Sequence, residues 1–341
     1  MGEASNASSG GRVWLFAAGY FLCYAPYSAL TKGLTGGLFA PGELAPTGFE
    51  LLPSTVIASA LGMFGFLGLM GWWRFATHHR VGPLRVPGPS RFTRASGEST
   101  AGNLATTTLA DTVEGVSIVF VMLLMRGGVL VIAPIVDAIT GRATRWFSWA
   151  GLGLSLAALL VAFSEEGGYE ITLVCAVDVT VYLASYFLRL QLMSRLAKTR
   201  DREKNLRFFV EEQMVAAPVL LVFLAAYAGL DDGPVANEVA AGFSSFWSRA
   251  ILPHAILVGL LSQGTGIFGG LILLDPSENT FSVPVNRCSS ILAGVVASLG
   301  VETFLGGAGP SAHQLGGAAL IVGAILFLTV PPQLERARRR A

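Results

Sequence analysis

Long apolar runs divide the chain, and its positive charges lie almost entirely on one side of the resulting alternation. Hydrophobic residues make up 52% of the 341 residues and charged residues only 13%, whereas soluble domains carry about 25% charged residues. If Met1 begins in the cytoplasm, eighteen of the 23 Lys and Arg residues fall in inside segments, and only Lys32, Arg126 and Arg249 fall in outside segments. Lys and Arg resist translocation, so this partition predicts a multi-pass integral membrane protein, in the inner or plasma membrane, with both termini cytoplasmic.

The apolar runs predict an all-α fold of about ten transmembrane helices. A helix of about 20 residues crosses about 30 Å of hydrocarbon. The expected spans are 13–31, 52–73, 105–125, 127–141, 146–164, 170–192, 208–230, 250–273, 281–303 and 312–330. The expected division of the chain is a leader at 1–12, a first half at 13–164 with a cytoplasmic linker at 74–104, a second half at 165–330, and a basic cytoplasmic tail at 331–341.

The order of spans predicts two inverted repeats. Five spans are followed by five, and an odd number per half places the second half upside down relative to the first. Asp137 precedes Gly151 by fourteen positions, as Glu302 precedes Gly316. The fourth expected span is short and contains Pro134, and interrupted spans are typical of transporters built from inverted repeats.

These features resemble the drug/metabolite transporter superfamily and its ten-span EamA-like permeases. The local likeness is greatest at 281–330 and 128–164. Members usually carry an acidic residue about nine positions before the span-five glycine, whereas this chain has Arg142 there and Gly307 in the second half. The resemblance implies a divergent permease that works by alternating access, with span nine bordering a central cavity.

Three acidic residues are expected near the middle of the bilayer. Asp111, Glu114 and Asp178 lie inside expected spans three and six. A charged group at this depth costs at least about 2.5–3.5 kcal/mol, so it is a candidate for function. One reading is a carboxylate that binds and releases a proton or another cation during transport. The alternative is a buried acid whose hydrogen bonds serve helix packing.

A second group of candidates could contact an organic solute. Tyr24 and Tyr182 occupy similar places in spans one and six, and tyrosines supply apolar area together with hydroxyl groups. Packing or an interfacial position is the alternative for both. Arg287, with adjacent Asn286, lies early in span nine. For Arg189 and Arg287 the alternative is a side chain that snorkels to water or forms an ion pair.

Other chemistry has little support in the sequence. Glu211 and Glu212 open expected span seven, where acids favour a helix N-terminus. No metal or cofactor is expected, because the histidines lack ligand spacing and no hydrolase or phosphate-loop motif is present. The short basic loops lack the aromatic platform of a nucleic-acid-binding protein.

The sequence therefore predicts a secondary active transporter rather than an enzyme. It would move a small organic solute or metabolite across the bilayer by alternating access. Coupling to a proton or another cation and assembly as a homodimer are left open. The alternative is a flippase for a lipid or lipid-linked head group, which would need Arg189 and Arg287 to face inward together.

Overall fold

The computed structural model describes residues 3–39, 44–81, 83–109, 118–164, 173–306 and 311–340. The described residues form eleven α-helices and one antiparallel β-hairpin, so the expected all-α class is confirmed apart from that hairpin. The helices are α1 (Glu3–Thr35), α2 (Gly48–Leu69), α3 (Arg91–Leu109), α4 (Ile118–Ile139), α5 (Trp146–Phe163), α6 (Leu173–Leu196), α7 (Arg202–Leu230), α8 (Pro234–Phe243), α9 (Leu252–Leu273), α10 (Asn279–Leu305) and α11 (Ala312–Arg340), and the strands are β1 (His78–Val81) and β2 (Leu84–Pro87).

Six of the described helices are long and apolar enough to cross a membrane, namely α1, α2, α7, α9, α10 and α11. Their outward surfaces carry large apolar side chains, and Leu69, Leu230 and Phe304 are 92%, 88% and 85% exposed. An apolar exterior of this extent is typical of a surface that meets lipid. These helices agree with the expected membrane protein.

The expected cytoplasmic linker at 74–104 contains regular structure. Residues 78–81 pair with 84–87 in the hairpin, and α3 already begins at Arg91. The early part of α3 is polar, which is why hydropathy alone places the start of a third span near residue 105. Its polar side chains have protein partners: Ser96 donates to Glu212 and Thr93 donates to Glu211, both at 2.6 Å.

The expected break between a third span at 105–125 and a fourth at 127–141 is wrong. Residues 125–127 lie inside α4, a continuous helix of 22 residues. An apolar run of this length can continue as one helix through Arg126, because an α-helix satisfies its backbone hydrogen bonds internally. Arg126, expected in an outside loop, is therefore inside a helix.

The expected role of Glu211 and Glu212 at a helix start is also wrong. The N-cap of α7 is Asp201, which accepts from the backbone N–H groups of Glu203 and Lys204. Glu211 and Glu212 lie more than two turns further along and are fully buried. They bind side chains of other helices rather than the end of their own.

The helices pack in a pattern that joins the two halves of the chain. Helix α1 packs against α9 and α10, and α6 packs against α3 and α4. Helix α2 packs against α9, and α7 packs against α3. Three further contacts join α2 with α7, α4 with α10, and α5 with α11.

Four segments meet at one end of the bundle, and we call residues 70–93, 137–148, 194–205 and 273–282 the polar end. Asp137, at the end of α4, is its centre. Asp137 Oδ1 accepts from the backbone and side-chain N–H groups of Asn279, both at 2.8 Å, and Oδ2 accepts from the backbone N–H and hydroxyl of Thr280, both at 2.7 Å. The carboxylate thus caps the N-terminus of α10, where a negative charge is favoured.

Two arginines add contacts between the halves at the polar end. Arg142 donates to the backbone oxygens of Pro276, Ser194 and Lys198 at 3.1–3.3 Å. Arg145 donates from Nε and Nη2 to the two oxygens of Glu278, at 2.8 and 3.0 Å. Burial raises the pKa of Glu278, but the hydrogen bonds from Arg145 and Ser148 together with the Arg145 charge outweigh this effect, so its pKa lies below the ordinary value.

Glu211 ties the hairpin segment to the second half. It accepts from the backbone N–H and hydroxyl of Thr77 at 2.9 and 2.7 Å, from the N–H of Ser90 at 3.0 Å, and from the hydroxyl of Thr93 at 2.6 Å. A buried carboxylate that accepts four hydrogen bonds has its charge satisfied without a basic partner. The hairpin is therefore fastened to α7.

Lys198 is buried at the polar end, and no carboxylate among the described residues forms an ion pair with it. Its Nζ donates to the backbone oxygen of Leu273 and to Ser282 Oγ, both at 2.9 Å. Burial and the nearby Arg142 guanidinium lower the pKa of Lys198 to about 7. The amine can therefore lose its proton near neutral pH.

The opposite end of the bundle has fewer described polar contacts between the halves. Arg249 Nη1 donates to both oxygens of Glu50 at 3.0 Å. Thr47 donates to Glu238 at 2.7 Å, and Lys32 donates to Ser298 at 2.7 Å.

Replacing Asp137 by Ala should destabilise the protein by at least about 2–4 kcal/mol, because four donors at the start of α10 lose a buried anionic acceptor. The measurement is the melting temperature of the detergent-solubilised protein. Asp201→Ala is the matched control, since it removes an exposed helix cap and should cost about 1 kcal/mol. Equal melting temperatures for the two variants would contradict the role of Asp137.

Lys198 should make stability rise with pH from about 7 to about 10. In this window the unfolded chain holds the Lys198 proton and the folded chain does not, so raising the pH favours the folded state. The melting temperature measured across this range should rise less in Lys198→Gln than in the original chain. Lys204→Gln, which removes an exposed lysine, should leave the slope unchanged; a slope insensitive to Lys198→Gln would refute the assignment.

Candidate functional site

Two arginines and four tyrosines meet in the interior of the helix bundle, away from the polar end. We call them the central cluster. Its members come from α1, α4, α6 and α10, and they are Tyr20, Tyr24, Arg126, Tyr182, Tyr186 and Arg287.

One side of the central cluster joins α4 to α1. Arg126 Nη2 donates to the hydroxyl oxygen of Tyr24 at 3.3 Å. The Tyr24 ring stacks on that of Tyr20 with centroids 5.5 Å apart and planes 20° apart. The two tyrosines are four residues apart in α1, so they share one helix face.

The other side joins α10 to α6. Arg287 Nη2 donates to the hydroxyl oxygen of Tyr182 at 3.3 Å, and the guanidinium carbon lies 5.2 Å from the centre of the Tyr186 ring. Tyr182 and Tyr186 are again four residues apart, and each is 6% exposed. In the central cluster, Arg287 therefore has one cation–π contact and one long hydrogen bond.

Tyr20 connects the two sides. Both Arg126 and Arg287 interact electrostatically with it. Gly269 of α9 borders the same place, because a Cβ at this position would lie 3.1 Å from Tyr20 Cε2 and 3.2 Å from Asn286 Nδ2. Any larger residue would press on both side chains, so the glycine gives α9 a close approach to α1 and α10.

The two arginines of the central cluster differ from the other deep arginine in their charge balance. Arg189 donates from Nε and Nη2 to the two oxygens of buried Glu212, both at 2.9 Å. In the part of the chain that the structure describes, neither Arg126 nor Arg287 forms an ion pair with a carboxylate. Arg287 Nε is in addition buried without a hydrogen-bond partner there.

The acidic candidates fall into two groups. Asp178 is 3% exposed in α6, and both of its carboxyl oxygens are buried without a hydrogen-bond partner among the described residues. It lies four residues before Tyr182, on the face of α6 that carries the central cluster. Asp111 and Glu114 lie outside the described residues.

The structure thus brings Tyr24, Tyr182 and Arg287 into one cluster, with Asn286 beside it. Sequence reasoning missed Arg126, because the division into spans placed it in an outside segment between two of them. The available signal was its apolar surroundings on both sides, which continue from 118 to 136. Arg189 forms an ion pair with Glu212 and does not snorkel to water.

The site offers no metal chemistry in the described ranges. No group of three or more His, Cys, Asp or Glu side chains comes close enough there to hold a metal ion. The central cluster itself presents guanidinium N–H groups, tyrosine hydroxyls and aromatic faces. Such a set can hold an organic molecule by hydrogen bonds and ring contacts.

Comparison with known proteins gives a fold without a family. No family model matches the chain, and no curated protein matches it. Solved structures do match, and 24 of their chains resemble this one. One of them, a crystal structure of a protein, aligns with a TM-score of 0.56 over 95% of this chain and 99% of its own, with 16% of residues identical. At this identity the likeness shows a shared fold along nearly the whole chain.

Proposed function

We propose that the protein is a secondary transporter that moves a small organic solute by alternating access between two inverted five-helix repeats. The first repeat would comprise α1 to α5, and the second α6, α7, α9, α10 and α11. The observation that carries the proposal is the central cluster, which draws its arginines and tyrosines from both repeats. The resemblance to EamA-like permeases of the drug/metabolite transporter superfamily belongs to this proposal.

The spacing of helix boundaries supports the repeat. Helix α1 ends at Thr35 and α6 at Leu196, 161 positions later; α2 ends at Leu69 and α7 at Leu230, again 161 positions later. Helices α3 and α9 begin at Arg91 and Leu252, with the same separation. Unrelated halves have no reason to keep one period through three pairs of helices.

The packing pattern supports the repeat independently. Exchanging α1 with α6, α2 with α7, α3 with α9, and α4 with α10 converts the contacts of α1 and α2 with helices of the second repeat into those of α6 and α7 with helices of the first. The contacts of α1 with α9 and α10 become those of α6 with α3 and α4, and the α2–α9 contact becomes the α7–α3 contact. Five helices per repeat give the second repeat the opposite orientation in the membrane.

The polar contacts at the two ends support the transport cycle. At the polar end, Asp137, Arg142 and Arg145 of the first repeat bind groups of the second. At the opposite end the contacts are Arg249 with Glu50 and Thr47 with Glu238. The distribution of Lys and Arg assigns the polar end to the cytoplasm. In an alternating-access cycle, one set would separate while the other forms.

The flippase alternative has weaker support. It needs Arg189 and Arg287 to form a shared basic pocket that is open to a lipid head group. Arg189 donates two hydrogen bonds to Glu212, so it is not available as the second basic residue of such a pocket. A solute transporter remains the better account.

Cross-links at the two ends should have opposite effects on access to the centre. In a chain whose native cysteines are replaced, a bifunctional thiol reagent would join Arg145→Cys to Glu278→Cys at the polar end, or Thr47→Cys to Glu238→Cys at the other. A reporter at Tyr24→Cys should then react with a membrane-impermeant thiol reagent from one side in the first variant and from the other side in the second. The measurement is the labelling rate in oriented vesicles, with an expected preference of about tenfold or more, since a locked chain occupies one state of the equilibrium.

The control pair joins Thr199→Cys to Asn205→Cys within the second repeat, whose N and Oδ1 atoms are 3.1 Å apart. This cross-link should leave labelling from both sides intact. Labelling from the same side in both locked variants would refute alternating access between these repeats.

Proton coupling should depend on a membrane-embedded acid. Asp178→Asn keeps the shape of a buried group that has no partner in the described residues, so the variant should fold with an unchanged melting temperature. If Asp178 carries the proton, solute-driven proton uptake by proteoliposomes should fall at least about tenfold. Glu114→Gln tests the other acid, and exposed Glu203→Gln is the control. Full coupling in both Asp178→Asn and Glu114→Gln would exclude these two carboxyls as the coupling groups.

A further inference from the structure

We infer that the central cluster binds an organic anion through a carboxylate or phosphate group, held between Arg126 and Arg287. The inference rests on the proposed transport function and names the class of its substrate. The two arginines would supply the charge, the tyrosine hydroxyls additional hydrogen bonds, and the tyrosine rings contact with the organic part.

The charge balance of the bundle interior supports an anionic ligand. A buried positive charge in hydrocarbon is strongly unfavourable unless a negative group compensates it. Arg189 has such a group in Glu212. Arg126 and Arg287, which lie inside helices and are half-buried, have none in the described residues. An anionic ligand would supply the missing negative charge to both.

The depth of the two arginines carries the second step. Arg126 lies eleven residues before Asp137 in α4, and Arg287 lies eight residues after Asn279 in α10; Asp137 and Asn279 are hydrogen-bonded to each other at the polar end. At 1.5 Å per residue the two arginines are about 16 and 12 Å along their helices from that end. In the proposed arrangement both arginines therefore come near the bilayer midplane.

The repeat carries the third step. Arg126 and Arg287 are 161 positions apart, which is the period of the helix boundaries. Tyr20 and Tyr182, like Tyr24 and Tyr186, are 162 apart. Each repeat therefore contributes one arginine and two tyrosines, and its arginine donates to a hydroxyl of its own repeat.

The chemistry of the available atoms carries the fourth step. A guanidinium has five N–H donors in a planar fork that suits carboxylate and phosphate oxygens. The described contacts engage one nitrogen of Arg126 and one of Arg287, and Arg287 Nε is without a partner among the described residues. On this face the described residues supply two arginines against one acid, Asp178, so the excess positive charge favours an anion over an amine.

The test uses the purified full-length protein in detergent and four probes that share a benzene ring. Phenyl phosphate and benzoate are anions, benzyl alcohol is neutral and benzylamine is a cation. We expect phenyl phosphate or benzoate, or both, to raise the melting temperature in a saturable way, because a ligand that binds the folded state stabilises it by mass action. Benzyl alcohol and benzylamine should not. Inorganic phosphate, measured alongside, separates binding of the bare ion from binding of an organic anion.

Substitutions assign the binding to the two arginines. Arg126→Gln and Arg287→Gln should each weaken anion affinity at least about tenfold in calorimetry, because each removes a charge-assisted contact. Arg287→Lys should retain part of the affinity, since it keeps the charge and loses the fork. Arg85→Gln, in the exposed hairpin, is the matched control and should bind like the original chain.

The melting temperature without ligand separates a binding role from a structural one. If Arg287 serves to bind a ligand, its charge is uncompensated while the site is empty. Without ligand, the Arg287→Gln variant should therefore melt at the same temperature as the original chain or at a higher one. A lower melting temperature together with unchanged anion affinity would assign Arg287 to structure and overturn the inference. Tyr182→Phe, which keeps the ring and removes the hydroxyl, should fold normally and bind the anion more weakly.

The outcomes also separate this inference from the proposed function. Binding in detergent requires no transport, whereas the sidedness of Tyr24→Cys labelling requires no ligand. Stabilisation by benzylamine or benzyl alcohol alone, or by inorganic phosphate but neither organic anion, would overturn the organic-anion assignment while leaving alternating access intact. Anion binding that depends on both arginines, in a protein whose two locked forms label from the same side, would sustain the site and refute the transport cycle.

Discussion

Compensation of charge inside an apolar environment governs the arrangement of this molecule. Arg189 pairs with Glu212, and Arg145 pairs with Glu278, through short and well-aligned contacts. Hydroxyl and backbone N–H groups surround Asp137 and Glu211. Burial without such compensation would cost several kcal/mol per ion. The hydrogen bonds of these groups therefore fix the relative positions of helices that apolar packing alone would hold less specifically.

Arg126 and Arg287 stand out against this background, because neither pairs with a carboxylate among the described residues. An apolar core would gain from replacing such groups, and natural sequences keep such costs where function requires them. Their tyrosine neighbours moderate the cost without removing it, because one hydrogen bond and a ring contact supply less than a counter-ion does. At the polar end, carboxylates accept hydrogen bonds from groups of both halves, whereas the described partners of the central arginines are tyrosine hydroxyls and rings.

Hydropathy and charge distribution predicted most of the helical framework, because burial in lipid acts on runs of about 20 residues that one sequence displays directly. They failed where polar residues are buried by helices far away in the chain. The early part of α3 looked like a solvated linker because its partners Glu211 and Glu212 lie more than 100 residues away. Glu211 and Glu212 themselves looked like a helix start for the same reason. The site was predicted in part: Tyr24, Tyr182 and Arg287 were identified from type and depth, but Arg126 was missed because it was assigned to an outside segment.

The proposed inverted repeat, with its constant separation between paired helices, has a consequence for how such a chain could have arisen. A shorter ancestral gene would have encoded a single five-helix protein with one arginine and two tyrosines near the middle of the membrane. Two copies of that protein, inserted in opposite directions, would have formed the whole central cluster by dimerisation, before any fusion of the genes. Duplication and fusion would then have freed each copy to diverge. The departure of Asp178 from strict symmetry, with Phe16 standing 162 positions before it, is the kind of difference that only a fused chain can acquire.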